Sequence, residues 1–73
     1  MRITYDKSAD AAMIYFTNIG PGEAVKTYPC NPVEVGGMIN LDFNKEGVLL
    51  GVEVLDASKK LPKEMLDNAE IIG

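Results

Sequence analysis

The segment from residue 38 to residue 55 constrains the fold most strongly, because it has the pattern of a β-hairpin. Residues 38–43 alternate apolar and polar side chains, as a strand with one buried face does. The polar loop 44–47 ends in Gly47, which suits the left-handed conformation of a tight turn. The alternation places on one side Ile39, Leu41 and Phe43 of the first strand and Leu50, Val52 and Val54 of the return strand. Two adjacent antiparallel strands are therefore predicted here.

Three more strands are predicted before this hairpin, at residues 2–5, 11–17 and 23–28. The second of them is apolar on both sides, which is typical of a strand inside a sheet. Pro29 and Pro32 then interrupt pairing, because proline donates no backbone hydrogen bond. The short segment 33–35 leads into Gly36 and Gly37, where we expect a bulge or a bend.

The pattern changes after Asp56, where apolar residues three to four positions apart indicate a short helix. Asp56 or Ser58 suits the cap of a turn, and Pro62 suits the first position of a helix. The apolar side of this helix comprises Leu61, Met65, Leu66, Ala69 and Ile72. The elements predict one α+β domain over residues 1–73, a single antiparallel sheet of four to five strands with a short C-terminal helix packed on one face.

The charge of the chain is acidic, because seven basic and eleven acidic residues give a net charge of −4. A nucleic-acid binder needs clustered cations that displace counterions from phosphates. The one cluster of lysines, Lys59, Lys60 and Lys63, lies at the predicted helix start and is typical of a solvated surface. We therefore expect no direct contact with nucleic acid.

The cysteine content and the apolar runs indicate the compartment. Cys30 is the only cysteine, so no disulfide forms within the chain. The first residues reach the charged Asp6 before any long apolar run, unlike a signal peptide. The other apolar runs are far too short to span a membrane. We therefore expect a cytoplasmic protein that makes no membrane contact.

The predicted elements are too few to cover both faces of the sheet. Five strands span roughly 20–24 Å at about 4.8 Å each, whereas one helix is about 10 Å wide. The large side chains expected on the uncovered face are Met13, Tyr15, Tyr28, Met38 and Leu49. We therefore expect association, either as a homo-oligomer or with another small protein. The alternative is a strongly twisted sheet that wraps around its own helix.

Few residues are suited to catalysis or to metal binding. The chain has no histidine, so Cys30 has no imidazole to activate it and no structural zinc site is expected. The remaining candidates are carboxylates: Asp6 and Asp10 in one connection, and Asp42, Glu53 and Asp56 in or beside the last two strands. A close pair could hold a hard cation or share a proton. The simpler interpretation is that these residues cap turns and face solvent.

The glycine-rich turns and the tyrosines have structural explanations. Residues 20–22 and 36–37 lack the following helix that a phosphate-binding loop needs, so turns are predicted there. Tyr5, Tyr15 and Tyr28 lack the basic neighbours of a surface that stacks on bases. Core or interface positions are predicted for these three rings.

Two segments together resemble one known family. The first contains Tyr5-Asp6 followed by Ala9-Asp10-Ala11, and the second runs from Asn40 through Gly47 and Gly51 to Asp56-Ala57-Ser58. This combination resembles the Domain of Unknown Function 2283 family of small bacterial and archaeal proteins. The chain departs from the family pattern at Ala12-Met13 and in its longer middle segment, 28–37. The motif also has a physical explanation: Gly51 lets a neighbouring group approach the last strand closely.

The resemblance implies no activity, cofactor or catalytic residue. Similar proteins are sometimes encoded beside toxin-like proteins, which suggests an antitoxin-like role. The leading hypothesis is a non-catalytic interaction module that self-associates or acts as the acidic partner of another small protein. The alternative is a carboxylate-based metal-binding protein or enzyme that uses either Asp42, Glu53 and Asp56 or the pair Asp6 and Asp10. No catalytic, cofactor-binding or metal-binding residue is assigned.

Overall fold

A computed structural model describes all 73 residues of the chain. It contains six strands and three short helices. The strands are β1 (Arg2–Asp6), β2 (Ala11–Tyr15), β3 (Lys26–Pro29), β4 (Ile39–Phe43), β5 (Leu49–Leu55) and β6 (Glu70–Ile71). The helices are α1 (Pro32–Val35), α2 (Ala57–Lys60) and α3 (Lys63–Asp67). No helix has the length and apolar character needed to cross a membrane.

All six strands form one sheet in the order β3-β4-β5-β2-β1-β6. Four of the five neighbouring pairs are antiparallel, and β6 runs parallel to β1. The predicted α+β class with one sheet is therefore confirmed. The sheet is mixed and has six strands, so the prediction of an entirely antiparallel sheet with four to five strands is wrong in these details.

The C-terminal segment differs most from the sequence prediction. Instead of one helix, α2 and α3 are separated by Leu61 and Pro62, and Leu61 is extended at φ −106° and ψ 149°. Leu61 precedes Pro62, and a residue before proline is disfavoured in the helical conformation. After α3 the chain becomes β6, and Ile72 N–H donates to the Tyr5 carbonyl at 3.0 Å. Ile72 therefore pairs with the sheet and does not belong to the helix.

The segment before β4 also differs, because residues 32–35 form the helical turn α1. Asn31 Oδ1 accepts hydrogen bonds from Val33 N–H at 2.9 Å and Glu34 N–H at 3.2 Å, as a helix N-cap does. Pro32 occupies the first turn, and Gly36 ends it at φ 68°. The bulge or bend predicted at Gly36 and Gly37 is thus the end of a helical turn.

The predicted hairpin is confirmed. Strands β4 and β5 pair across it, with an irregularity between Asp42 and Phe43. Asn44 Oδ1 accepts from Glu46 N–H at 3.0 Å and from Val48 N–H at 2.9 Å. Gly47 has φ 82°, the left-handed conformation that the loop requires.

The register of the strands defines two faces of the sheet, because paired residues point to the same side and successive residues alternate. The first, which we call the helix face, carries Ile3, Tyr5, Ala12, Ile14, Lys26, Tyr28, Ile39, Leu41, Val52 and Val54. The second, which we call the polar face, carries Arg2, Thr4, Asp6, Met13, Tyr15, Thr27, Asn40, Asp42, Glu53 and Glu70.

The core lies between the helix face and the two C-terminal helices. Ala12, Val54 and Ala57 are buried there. The half-buried side chains that pack against these three are Tyr5, Ile39, Val52, Leu61 and Leu66. Only six of the 73 residues are buried in all, which is a small core even for a short chain.

Candidate interaction surface

The first connection of the chain holds two of the candidate carboxylates, and each is used within the fold. Asp6 Oδ1 accepts from Ser8 N–H at 3.0 Å, Ser8 Oγ–H at 2.6 Å and Ala9 N–H at 3.2 Å. The hydrogen bonds from Ser8 and Ala9 hold the pKa of Asp6 below its ordinary value of 3.8. Asp6 therefore shapes the turn between β1 and β2, as the simpler interpretation predicted.

Asp10 joins this connection to the start of α2. It has φ 51°, and its carboxylate accepts from the Tyr5 hydroxyl at 2.6 Å, Ser58 N–H at 3.0 Å and Ser58 Oγ–H at 2.7 Å. The hydrogen bonds from Tyr5 and Ser58 lower the pKa of Asp10 below 3.8. The same bond raises the pKa of the Tyr5 phenol above 10.0. Asp10 is a structural link across 48 residues of sequence.

The other three candidate carboxylates have separate surroundings. Asp42 Oδ1 accepts from the Thr27 hydroxyl at 2.7 Å, and Glu53 Oε1 accepts from Asn40 Nδ2–H at 3.0 Å. Asp56 precedes α2 at φ 52° and makes no side-chain cap bond. No group of three or more histidine, cysteine, aspartate or glutamate side chains is placed to hold a metal ion. The geometry gives the metal-binding alternative no support.

Two of the three clustered lysines make contacts within the fold. Lys60 Nζ donates to the Val35 carbonyl at 3.0 Å and so joins α2 to the end of α1. Lys63 pairs with Asp67 at 3.0 Å within α3, on an exposed surface. Neither contact forms a cationic surface of the kind that phosphates require.

The three tyrosines occupy different places. Tyr5 belongs to the core through its packing and its bond to Asp10. Tyr15 lies on the polar face, where the Arg2 guanidinium is 4.7 Å from its ring centre. Tyr28 lies on the helix face, paired with Leu41, and is 55% exposed. The prediction that Tyr28 shares the face opposite the helix with Met13 and Tyr15 is therefore wrong.

Two neighbouring rows of side chains cross the helix face. The first row packs against α2 and α3 and contains Tyr5, Ala12, Val54 and Ile39. The second row, which we call the apolar stripe, crosses five neighbouring strands and consists of Ile3, Ile14, Val52, Leu41 and Tyr28. Tyr28 is 55% exposed, and the other four side chains are half-buried, with Val52 packed against the core.

The apolar stripe extends toward the hairpin end of the sheet. Phe16 continues β2 there, with its N–H on the Leu50 carbonyl at 2.9 Å, and its side chain is 46% exposed. Alternation puts Phe16 and Phe43 on the same face as Ile14 and Leu41. Sequence reasoning named Leu41, Val52 and Tyr28 separately, but it did not place them in one row.

The sequence model of the family described as "Protein of unknown function (DUF2283)" matches residues 2–58. The chain belongs to this family. The DUF2283 match includes the Tyr5–Asp10–Ser58 hydrogen bonds and all five residues of the apolar stripe. It ends before α3 and β6. A search of curated proteins and a search of solved structures each give no significant match.

Proposed function

We propose that this chain is a non-catalytic interaction module that binds another protein chain through the apolar stripe. The observation that carries the proposal is that five apolar side chains form one row across the sheet, in which Tyr28 is 55% exposed and the other four are only half-buried. A continuous apolar row is costly to leave in water, at about 25 cal/mol for each Å² of apolar area. Contiguous apolar surface of this kind is typical of protein interaction sites.

The total surface of the chain supports the proposal. Its accessible area is 4869 Å², whereas a compact monomer of 7.9 kDa exposes about 4,400 Å². The area is about a tenth larger than a chain of this size normally leaves in water. This excess agrees with a sheet whose short helices leave the apolar stripe only half-buried.

The test is copurification of a bound chain with three tagged forms of the protein in its native host, alongside an untagged copy of the same chain. The variant Leu41→Asp places a charge in the apolar stripe. The control Val33→Asp makes a similar change on α1, where Val33 is 88% exposed and outside the stripe. Wild type and Val33→Asp should retain a bound chain in about one-to-one amount, and Leu41→Asp should lose it.

Two results would contradict the proposal. One is that wild type retains no chain in near-stoichiometric amount, whether its own untagged copy or another protein. The other is that Leu41→Asp, shown to be folded by circular dichroism, retains the same chain as wild type. In either case the apolar stripe is not the binding surface.

A further inference from the structure

The polar face contains an open cavity of about 280 Å³ above β1 and β2. Ala11 lies in this cavity, and register places it in one row with Asp6 on β1 and Leu55 on β5. Because alanine is the smallest side chain of this row, it leaves a depression beside Asp6. Met13 and Tyr15, the next residues of β2 on this face, also line the cavity. The apolar stripe lies on the other face of the sheet, so this cavity is a separate site.

A hydroxyl group with no partner in the fold lines this cavity. Thr4 is only 1% exposed and belongs to the lining. Its hydroxyl takes part in none of the side-chain hydrogen bonds. Every side-chain oxygen or nitrogen that is completely buried has a partner, so the Thr4 oxygen is the part of this residue that the cavity reaches. A polar group held in this way is suited to orient a ligand.

Two carboxylates also line the cavity, and each has one oxygen without a hydrogen bond in the fold. Asp6 uses Oδ1 for the turn between β1 and β2, which leaves Oδ2. Glu53 uses Oε1 for its bond with Asn40, which leaves Oε2. No lysine or arginine lines the cavity, and Arg2 on the same face already pairs with Glu70. The cavity therefore favours a cationic ligand.

The sheet sets the spacing of these groups. Thr4 and Asp6 are two residues apart on β1, so their Cα atoms are about 7 Å apart and one ammonium group can contact both side chains. Register places Thr4, Met13 and Glu53 side by side on β1, β2 and β5. Glu53 is thus about 10 Å from Thr4 and is held toward β4, too far away to share that ammonium group. The apolar side chains of Ala11 and Met13 lie between the two ends.

We infer that this cavity binds a short aliphatic diamine as its diammonium ion. One ammonium group donates to the Thr4 hydroxyl and to Asp6 Oδ2, and the other pairs with Glu53 Oε2. The carbon chain between them lies over Ala11 and against Met13. A metal ion fits this arrangement poorly, because hard cations take about six or more oxygen ligands around one point. The inference goes beyond the proposed function, since it concerns the other face of the sheet and a small molecule.

Titration with putrescine, a diamine with a chain of four carbons, tests the inference at constant ionic strength. The Met13 methyl signal should shift and saturate, while the methyl signals of Leu41 on the helix face should stay fixed. Butylamine has the same chain with one ammonium group and should bind about fivefold more weakly, because it loses one partly exposed ion pair. Butanediol, which has no charge, should give no saturable shift. Equal dissociation constants for putrescine and butylamine, or no saturable shift of Met13 with putrescine, would contradict the inference.

The variants Glu53→Gln and Asp42→Asn form a matched pair for this titration. Each removes one negative charge from the polar face and keeps an oxygen for the existing hydrogen bond, from Asn40 or from Thr27. Asp42 does not line the cavity. Glu53→Gln should therefore weaken putrescine binding about fivefold, to the level of butylamine, and Asp42→Asn should leave it unchanged. An equal loss in both variants would assign the effect to the general charge of the face and exclude a specific site.

The variant Thr4→Val removes the hydroxyl and keeps the shape of the side chain. Because this hydroxyl has no partner in the fold, Tm should not fall, whereas losing a bonded hydroxyl would lower it. Putrescine binding should weaken about tenfold, the effect of one hydrogen bond to a charged group. Thermal melts and the same titration measure the two effects. A lower Tm would show that Thr4 is bonded within the fold, and unchanged binding would show that putrescine does not contact it. Either result would overturn the inference.

Discussion

Asp10 shows how one side chain in this protein connects distant parts of the chain. Its backbone carbonyl accepts from Ala57 N–H at 2.9 Å, and its carboxylate accepts from Ser58 and Tyr5. These bonds hold the first connection against the start of α2. The family motif around Asp10 and Ser58 is therefore explained by folding, which is why it identifies the family without indicating a reaction.

The hydrogen bonds of Asp10 predict a difference between two aspartates that share the same backbone conformation. Asp10 has φ 51° and Asp56 has φ 52°, but the Asp56 side chain makes no cap bond. The variants Asp10→Ala and Asp56→Ala introduce the same backbone strain. Asp10→Ala should lower Tm clearly more than Asp56→Ala, because only Asp10 loses side-chain hydrogen bonds. Equal Tm values in thermal melts followed by circular dichroism would show that these bonds add nothing.

The pH dependence of stability should follow the same carboxylates. Folding lowers the pKa of Asp6 and of Asp10 below 3.8, so their stabilising contribution is complete above that value and is lost as pH falls through the folded-state pKa. Tm should be nearly constant above about pH 5 and should fall below pH 3.8. The fall should be smaller in Asp10→Ala. An identical acid profile for the variant and wild type would exclude Asp10 as a source of this dependence.

At the scale of elements, Gly51 controls how closely β5 approaches β2. A Cβ atom at this position would lie 2.8 Å from the Ile14 carbonyl oxygen and 2.8 Å from Met13 Cε. The sequence prediction that Gly51 permits close approach of a neighbouring group is confirmed. The methionine can move, whereas the carbonyl belongs to the central strands of the sheet.

The variant Gly51→Ala should therefore destabilise the protein by about 1–3 kcal/mol, the usual cost of overpacking. This outcome reverses the ordinary effect of alanine, which is normally favoured over glycine inside a strand. Urea unfolding of Gly51→Ala and of the double variant with Met13→Ala measures it. The double variant should regain little of the lost stability, since the backbone contact remains. Full recovery would assign the clash to the side chain alone.

The elements also show how far the sequence predicts the fold. Strands β1, β2, β4 and β5 follow from apolar periodicity and turn residues, and the structure confirms them with small differences in their ends. The sequence contained a signal for α1, because Asn31-Pro32 begins a turn and Gly36 ends it. Strand β6 had no local signal. It depends on parallel pairing with β1 at the other end of the chain.

The apolar stripe was predictable only in part, because it depends on how separate elements pack and pair. Alternation places Ile39 with Leu41 and Val52 with Val54 on common sides of their strands. Which of these rows the helices cover depends on the break between α2 and α3 at Leu61. The register of β3 against β4 then puts Tyr28 on the helix face. Neither fact can be obtained from spacing within one strand.

At the scale of the whole molecule, the two faces of the sheet have different chemistry. The polar face satisfies several of its own groups through pairs such as Asn40 with Glu53 and Arg2 with Glu70. The helix face has one row packed against the helices and, beside it, the apolar stripe, which is only half-buried and ends at the exposed Tyr28. The proposed binding function depends on this difference between the two faces.

Methyl NMR spectra recorded while the copurifying chain is added test the proposed function most directly. The methyl groups of Ile3, Ile14, Leu41 and Val52 belong to the apolar stripe, while those of Met13 and Leu55 lie on the polar face. As that chain is added, the methyl signals of the stripe should shift together with one dissociation constant. The methyl signals of Met13 and Leu55 should stay fixed. Shifts confined to the polar face, or no shift at saturation, would contradict the proposed function.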